Sequence, residues 1–215
     1  MRCDIKKLLR ESLEGRNVGY RSGDLNKKAE TRFKMNSNRS TGHFGTGYYF
    51  FGDKEDADKY EDWGVNRLTT TIKLDGYNFA KASYELHNML KDINYATYLE
   101  KDETLIKICI SRVLRKYNAY EPIPEHIAIR STKQYNEIAA LPQEQQDKIN
   151  ADIKVADSAQ MRNDNKTNDL TKYIINYTGE DSASTIVMKS LGFDGVDARG
   201  TELDNSTYGS VLYDA

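Results

Sequence analysis

Residues 42–60 read GHFGTGYYFFGDKEDADKY, and the reading of the whole chain depends on this stretch. Gly42, Gly45 and Gly47 fall within six residues. Glycines this dense let a backbone turn sharply and approach a ligand closely, because no Cβ stands in the way. The aromatic run from Tyr48 to Phe51 has strand propensity. The polar DKEDADKYEDW that follows lacks it, and is rich in residues of a first helical turn, so a helix is expected from Asp53 as N-cap. Glycine turn, short strand and helix put Tyr49 mid-strand and Tyr60 about two helical turns further on, where both rings can flank one planar group. Stacking of that kind contributes about 0.5–1.5 kcal/mol beyond area burial. The same two rings also suit ordinary core positions.

N-terminal to this stretch, Ile5, Leu8, Leu9 and Leu13 have helical spacing within Asp4–Leu13, and Gly15 stops the pattern. Val18–Arg21 reads as a brief strand and Asp24–Arg39 as a solvated connecting loop. C-terminal to it, RLTTTIKLD (67–75) is alternating and β-branched, a strand ended by Gly76. Ala82–Leu99 is expected to be helical, and Asp102–Tyr117 more strongly so, with Ile106, Cys109, Ile110 and Val113 on one face. Helical patches around Pro142 occupy Ser131–Ala156. Asp157–Asn168 is nearly all polar and reads as an exposed or disordered loop, with a short helix at Asn168–Tyr177 after it. Ser182 is the expected cap of a helix Ala183–Leu191 with Gly192 just past its end, followed by strands at Phe193–Ala198 and Tyr208–Asp214. Strands at both ends with helices inserted at about 85–165 predict one α+β domain over 1–215.

A chain of 215 residues is large enough to bury roughly 70% of its unfolded surface. Its net charge of −2 supplies no global field toward nucleic acid or membrane. No apolar run approaches the ~20 residues a membrane helix needs, and the N-terminus mixes both charge signs without an apolar segment, which argues against a signal peptide. Cys3 and Cys109 are isolated, His43, His87 and His126 are scattered, and no pair has metal-ligand spacing, so no metal is expected. His43 adjoins the glycine turn as a solvated loop residue or a cofactor contact. A reducing cytoplasm is the natural setting.

GTGYYF followed by a helix ending in Tyr60 resembles the nicotinamide-binding segment of ADP-ribosyltransferases of the diphtheria-toxin and poly(ADP-ribose) polymerase type. That family has a Gly-x-Gly-x-Tyr-Phe element and a second tyrosine eleven residues after the first, the separation of Tyr49 and Tyr60. The resemblance implies a split β-sheet core in which these two rings, beside Gly47, sandwich the nicotinamide of NAD. Tyr20-Arg21-Ser22-Gly23 matches the family's first-strand motif, with Arg21 as in the arginine-specific and cholera-toxin-like branch. By the same resemblance Arg21 holds a ribose or phosphate of NAD through its fork of donors, and the Ser22 backbone pairs with the carboxamide.

The end of the chain, LGFDGVDARG and YGSVLYD, resembles the end of the same fold. There one carboxylate bonds the nicotinamide-ribose 2′-hydroxyl and stabilises the cation that develops as the glycosidic bond breaks. Glu202-Leu203-Asp204 is similar to the Glu-x-Glu of the arginine branch, shortened at its second member. Asp204 is then the catalytic carboxylate and Glu202 orients the nucleophile of the target. In the polymerase-like branch the glutamate stands where Gly209 or Ser210 stands here, so chain growth is not expected. The resemblance covers about residues 18–75 and 183–215. It implies a mono-ADP-ribosyltransferase, similar to phage or bacterial effectors that modify a host protein in a bacterial cell, with no membrane partner and no indication of nucleic acid. The competing expectations are a catalytically inactive NAD-binding module and an unrelated interaction protein.

Overall fold

The computed structural model describes residues 18–24, 40–58, 67–123, 132–204 and 208–214. The expected helix Asp4–Leu13, most of the loop after Asp24, and Tyr60 lie outside them. The elements are β1 (Val18–Asp24), β2 (Ser40–Gly42), β3 (Gly45–Phe50), α1 (Lys54–Asp58), β4 (Arg67–Lys73), β5 (Phe79–Lys81) and α2 (Tyr84–Tyr95) with a π-helical turn at Ala96–Glu100. Then come α3 (Glu103–Lys116), α4 (Thr132–Ala139), α5 (Gln143–Asn176), α6 (Ala183–Ser190), β6 (Gly195–Asp197) and β7 (Ser210–Leu212). The architecture is mixed α and β.

Two sheets carry it. β1 and β4 pair antiparallel, and a five-stranded sheet runs β2-β3-β7-β6-β5 with only β5–β6 parallel. They meet where Tyr20 and Phe51 exchange two backbone hydrogen bonds of 2.8 Å. Side chains alternate across a strand, so the aromatic run of β3 serves two cores. Tyr48 and Phe50 join Ile72, Leu74 and Leu212 in a small cluster, while Tyr49 packs against the large one.

The large core centres on α6, six of whose eight residues are buried. Leu86, Leu90 and Ile93 of α2 bury the i, i+4, i+7 stripe that their spacing predicts. Ile106, Ile110, Val113 and Leu114 of α3 extend the same cluster outward. Each such side chain contributes about 1.5–3 kcal/mol on burial. The caps are side-chain oxygens: Ser83 Oγ accepts from Leu86 N–H at 3.1 Å, Asp102 Oδ1 from Thr104 N–H at 2.8 Å, and Ser182 Oγ from Thr185 N–H at 3.4 Å. Gly192 follows α6 with φ +81°, the left-handed conformation expected just past a helix end.

One expectation is corrected. Asp157–Asn168 is not a loop: it lies inside α5, a single helix of 34 residues that also absorbs the short helix expected at 168–177. The stretch lacks an apolar stripe because its inner face packs on backbone. Ala159, Asn163 and Thr167 are its buried residues. Asn163 accepts from Glu121 N–H at 2.8 Å and donates to Glu121 O at 3.0 Å, and Lys166 donates to Ala119 O at 2.9 Å. These bonds satisfy the carbonyls and amides of the turn that leaves α3, which an apolar face would have left unpaired.

Candidate functional site

The two ends of β3 have different surroundings. At its start, the β2–β3 hairpin is closed by the chain itself. Gly45 has φ +115°, and a Cβ there would lie 2.4 Å from Thr185 Oγ1. Thr46 N–H donates to Thr185 Oγ1 at 2.7 Å and to Ser182 Oγ at 3.1 Å, while Ser182 N–H returns a bond of 3.2 Å to Thr46 Oγ1. A buried hydroxyl cluster therefore ties the glycine turn to the N-terminus of α6. The ring of Tyr49 fills the space over Gly42, whose Cβ would meet it at 2.5 Å. Its hydroxyl donates to Gly45 O at 2.9 Å and accepts from Phe44 N–H at 3.0 Å, and burial raises its pKa. Gly47 pairs with Ser40 on one side and lies against the Leu212 carbonyl on the other, 2.5 Å from where a Cβ would be. The glycines thus admit neighbouring parts of the chain, a use that the sequence pattern alone does not separate from ligand approach.

Arg21 lies at the seam between the sheets. Its Nη1 donates to Tyr49 O at 3.1 Å and its guanidinium is 5.4 Å from the centre of the Tyr48 ring. Desolvation lowers its pKa to about 10, against an opposing effect of Tyr48, so it stays charged at neutral pH. Ser22, the next residue of β1, pairs through its backbone with Thr69.

Beyond the far end of β3 lies a cleft of about 790 Å³, lined by Gly52, Asp53 and Asp56 on one side and by Lys81, Asp197, Arg199, Gly200 and Asp204 on the other. Its four carboxylates outnumber its two cations, which suits a polar ligand presenting hydroxyl groups or positive charge. Arg199 organises this end. Its Nε donates to Asp197 Oδ1 at 2.9 Å, its Nη2 to Asp197 Oδ2 at 3.2 Å, and its Nη1 to Val18 O at 2.8 Å, which ties β6 to β1. Burial alone would raise the Asp197 carboxyl; the Arg199 side chain and N–H, helped by Lys81, outweigh it and hold the group below its ordinary value. Ser210 Oγ adds a bond of 3.3 Å to the same carboxylate.

The structure brings Asp204 to this cleft, where its Oδ2 accepts from Gly200 N–H at 2.6 Å. Glu202 goes elsewhere: its carboxylate accepts from Tyr84 N–H at 3.3 Å, at the N-terminus of α2. Arg21, Ser22, Gly47 and Tyr49 belong to the seam and the hairpin, and Tyr60 lies outside the described residues. Lys81, Asp197 and Arg199 were not singled out in the sequence. A charged pair two residues apart at a strand end is the one signal that points to them. His43 and His87, scattered in sequence, have ring centroids 5.1 Å apart. Among the described residues no group of three or more His, Cys, Asp or Glu side chains is arranged to hold a metal ion, and no helix is long and apolar enough to cross a membrane.

No family model, curated protein or solved structure matches the chain.

Proposed function

We propose that this chain is a mono-ADP-ribosyltransferase, which moves ADP-ribose from NAD to a macromolecular target, a host protein, in the cytoplasm of a bacterial cell, and releases nicotinamide. The observation that carries the reading is Arg21: a charged guanidinium withdrawn from water at the seam of two sheets, bonded to the carbonyl of Tyr49 within the GTGYYF strand. A cation bonded to the Tyr49 carbonyl and lying 5.4 Å from the Tyr48 ring suits an anionic dinucleotide. The split sheet and the charged cleft at the far end of β3 support the reading further.

In this reading the bond between C1′ of the nicotinamide ribose and the pyridinium nitrogen breaks. Its electron pair leaves with nicotinamide. The target nucleophile forms the new bond to C1′ and loses a proton. Asp204 supplies the negative charge that the oxocarbenium-like ribose needs, Glu202 orients the nucleophile, and Arg21 holds phosphate or ribose. The Ser22 backbone meets the carboxamide and Tyr60 stacks on the nicotinamide, while the space beside Tyr49 and Gly47 is taken by the chain itself, through the bonds of the Tyr49 hydroxyl and the Leu212 carbonyl against Gly47.

Asp204→Ala is expected to lower nicotinamide release from NAD about 10²–10³-fold with NAD binding retained, the usual consequence of removing a preorganised electrostatic contact. Release by high-performance chromatography and binding by calorimetry check this. Full activity in Asp204→Ala removes the carboxylate assignment. A second reading, an NAD-binding module without transfer, is favoured by one feature: Glu202 and Asp204 are engaged on different backbone groups, Tyr84 N–H and Gly200 N–H. Wild-type protein that binds NAD and releases no nicotinamide selects it.

A further inference from the structure

A second cavity, of about 460 Å³, opens beside the β2–β3 turn and is lined by Thr41, Gly42, His43, His87, Lys91 and Asn94. Its cations come from two elements. His43 is in the hairpin turn, while His87 and Lys91 lie four residues apart on one face of α2. Tyr208, from the segment before β7, packs on both imidazoles, with ring centroids 4.7 Å from His43 and 5.3 Å from His87. Tyr84 backs Tyr208 at 6.0 Å.

Among the described residues, no carboxylate lines this cavity. The two carboxylates of α2 are directed to α3, where Glu85 pairs with Lys116 and Asp92 with Arg112 at 3.1 Å. Lys91 has no ion-pair partner among the described residues, and burial first, then the charges of His87 and Lys91, lower the pKa of His43. Asn94 is spent on Ser184, to which it donates at 3.0 Å and from which it accepts at 3.0 Å. His87 Nδ1 faces the His43 carbonyl at 3.4 Å, which joins the two imidazoles across the hairpin and α2. Two imidazoles and an ammonium converging on a cavity without an acid form a site whose missing element is an anion.

We infer that the His43–His87–Lys91 pocket binds a phosphate group. Doubly protonated imidazoles and an ammonium supply charge-assisted donors to its oxygens, and Tyr208 covers one side. The group belongs either to a phosphorylated partner or to a nucleotide. Bound phosphate favours the protonated His43 imidazole, which burial and the neighbouring His87 and Lys91 disfavour in the empty pocket.

Inorganic phosphate titrated into the full chain, followed by imidazole NMR signals, tests this. Phosphate should raise the apparent pKa of the His43 imidazole by about one pH unit, equivalent to about tenfold tighter binding to its protonated form. Lys91→Ala, at an exposed position that leaves the core intact, should weaken binding about tenfold. His43→Asn should remove most of the pH dependence. Imidazole signals that ignore tens of millimolar phosphate, or that respond equally in Lys91→Ala, overturn the assignment. Displacement of phosphate by a phosphoserine peptide but not by NAD identifies a phosphorylated partner as the source; displacement by NAD identifies the nucleotide. No step of the experiment depends on NAD turnover, so its failure and the failure of the transferase proposal are separate results.

Discussion

The two ends of β3 place opposite demands on the same strand. At the Gly45 end every approach the glycines permit is taken up by Thr185, Tyr49 or Leu212, and the polar atoms close on one another. At the Phe50 end the strand runs out into Gly52 and Asp53, and charged side chains face a cleft. A glycine-rich turn is commonly read as a place where ligand meets backbone; here it is a place where a helix meets a hairpin. The carboxylates and Arg199 gather at the end where the sequence has one glycine and a run of acids, while the imidazoles lie where the hairpin turn packs on α2.

The sharpest way to break this contrast is Gly45→Ala. Alanine at φ +115° carries a backbone penalty of about 1–2 kcal/mol, and its Cβ would press on Thr185 Oγ1 within a packed, hydrogen-bonded cluster. A total loss of about 3 kcal/mol is expected, read as a fall in the urea midpoint at unchanged slope. Adding Thr185→Ala should restore part of the packing cost and none of the backbone cost, so the double-mutant cycle separates the two. A loss under about 1 kcal/mol would mean the hairpin end is looser than its geometry.

Arg199→Ala tests the other end. Removing one member of a buried pair costs about 3–5 kcal/mol in general. Here both side chains keep a little exposure, 14% and 12%, so about 2–3 kcal/mol is expected. The variant also changes the acid limb. Because Asp197 is held below its ordinary value in the folded chain, its contribution is in place above about pH 4, its unfolded value, and is lost as pH falls through the lower folded one. Without the Arg199 side chain the burial of Asp197 is opposed chiefly by the backbone N–H of residue 199 and by Lys81, weaker influences, and unfolding should begin at a higher pH. Thermal melts between about pH 6 and 2 that coincide for the two proteins contradict the pairing.

Much of the fold was legible because its signals are local. The stripe Leu86–Leu90–Ile93, the cap Ser182 and Gly192 each depend on residues within one or two turns. Residues 157–168 were not legible, since Asn163 is buried against the Glu121 backbone and Thr167 against the Tyr120 hydroxyl, both from more than forty residues earlier, and no periodicity records that. The site divides the same way. Arg21 and Asp204 belong to short motifs, whereas the Asp197–Arg199 pair gains its role from Val18 and Ser210, and the His43–His87 pair from a hairpin packing on a helix.

The smallest expected effect is at Asp53, the first residue of the cleft wall. α1 has only five residues, far fewer than an isolated helix requires, so it depends on its cap and on one buried side chain, Ala57. Asp53 Oδ1 accepts from Glu55 N–H at 2.8 Å, and its carbonyl accepts from Ala57 N–H at 3.3 Å. Asp53→Ala removes the first bond and should cost about 1 kcal/mol. Asp53→Asn keeps an oxygen that can cap and should cost a few tenths, which separates the cap from the charge. The loss should be local: amide exchange at Glu55 to Ala57 speeds up, while Thr46 and Tyr49, at the closed end, keep their protection. Equal acceleration at both ends would mean that β3 opens as one unit and that the difference between its ends is one of composition, with no difference in stability behind it.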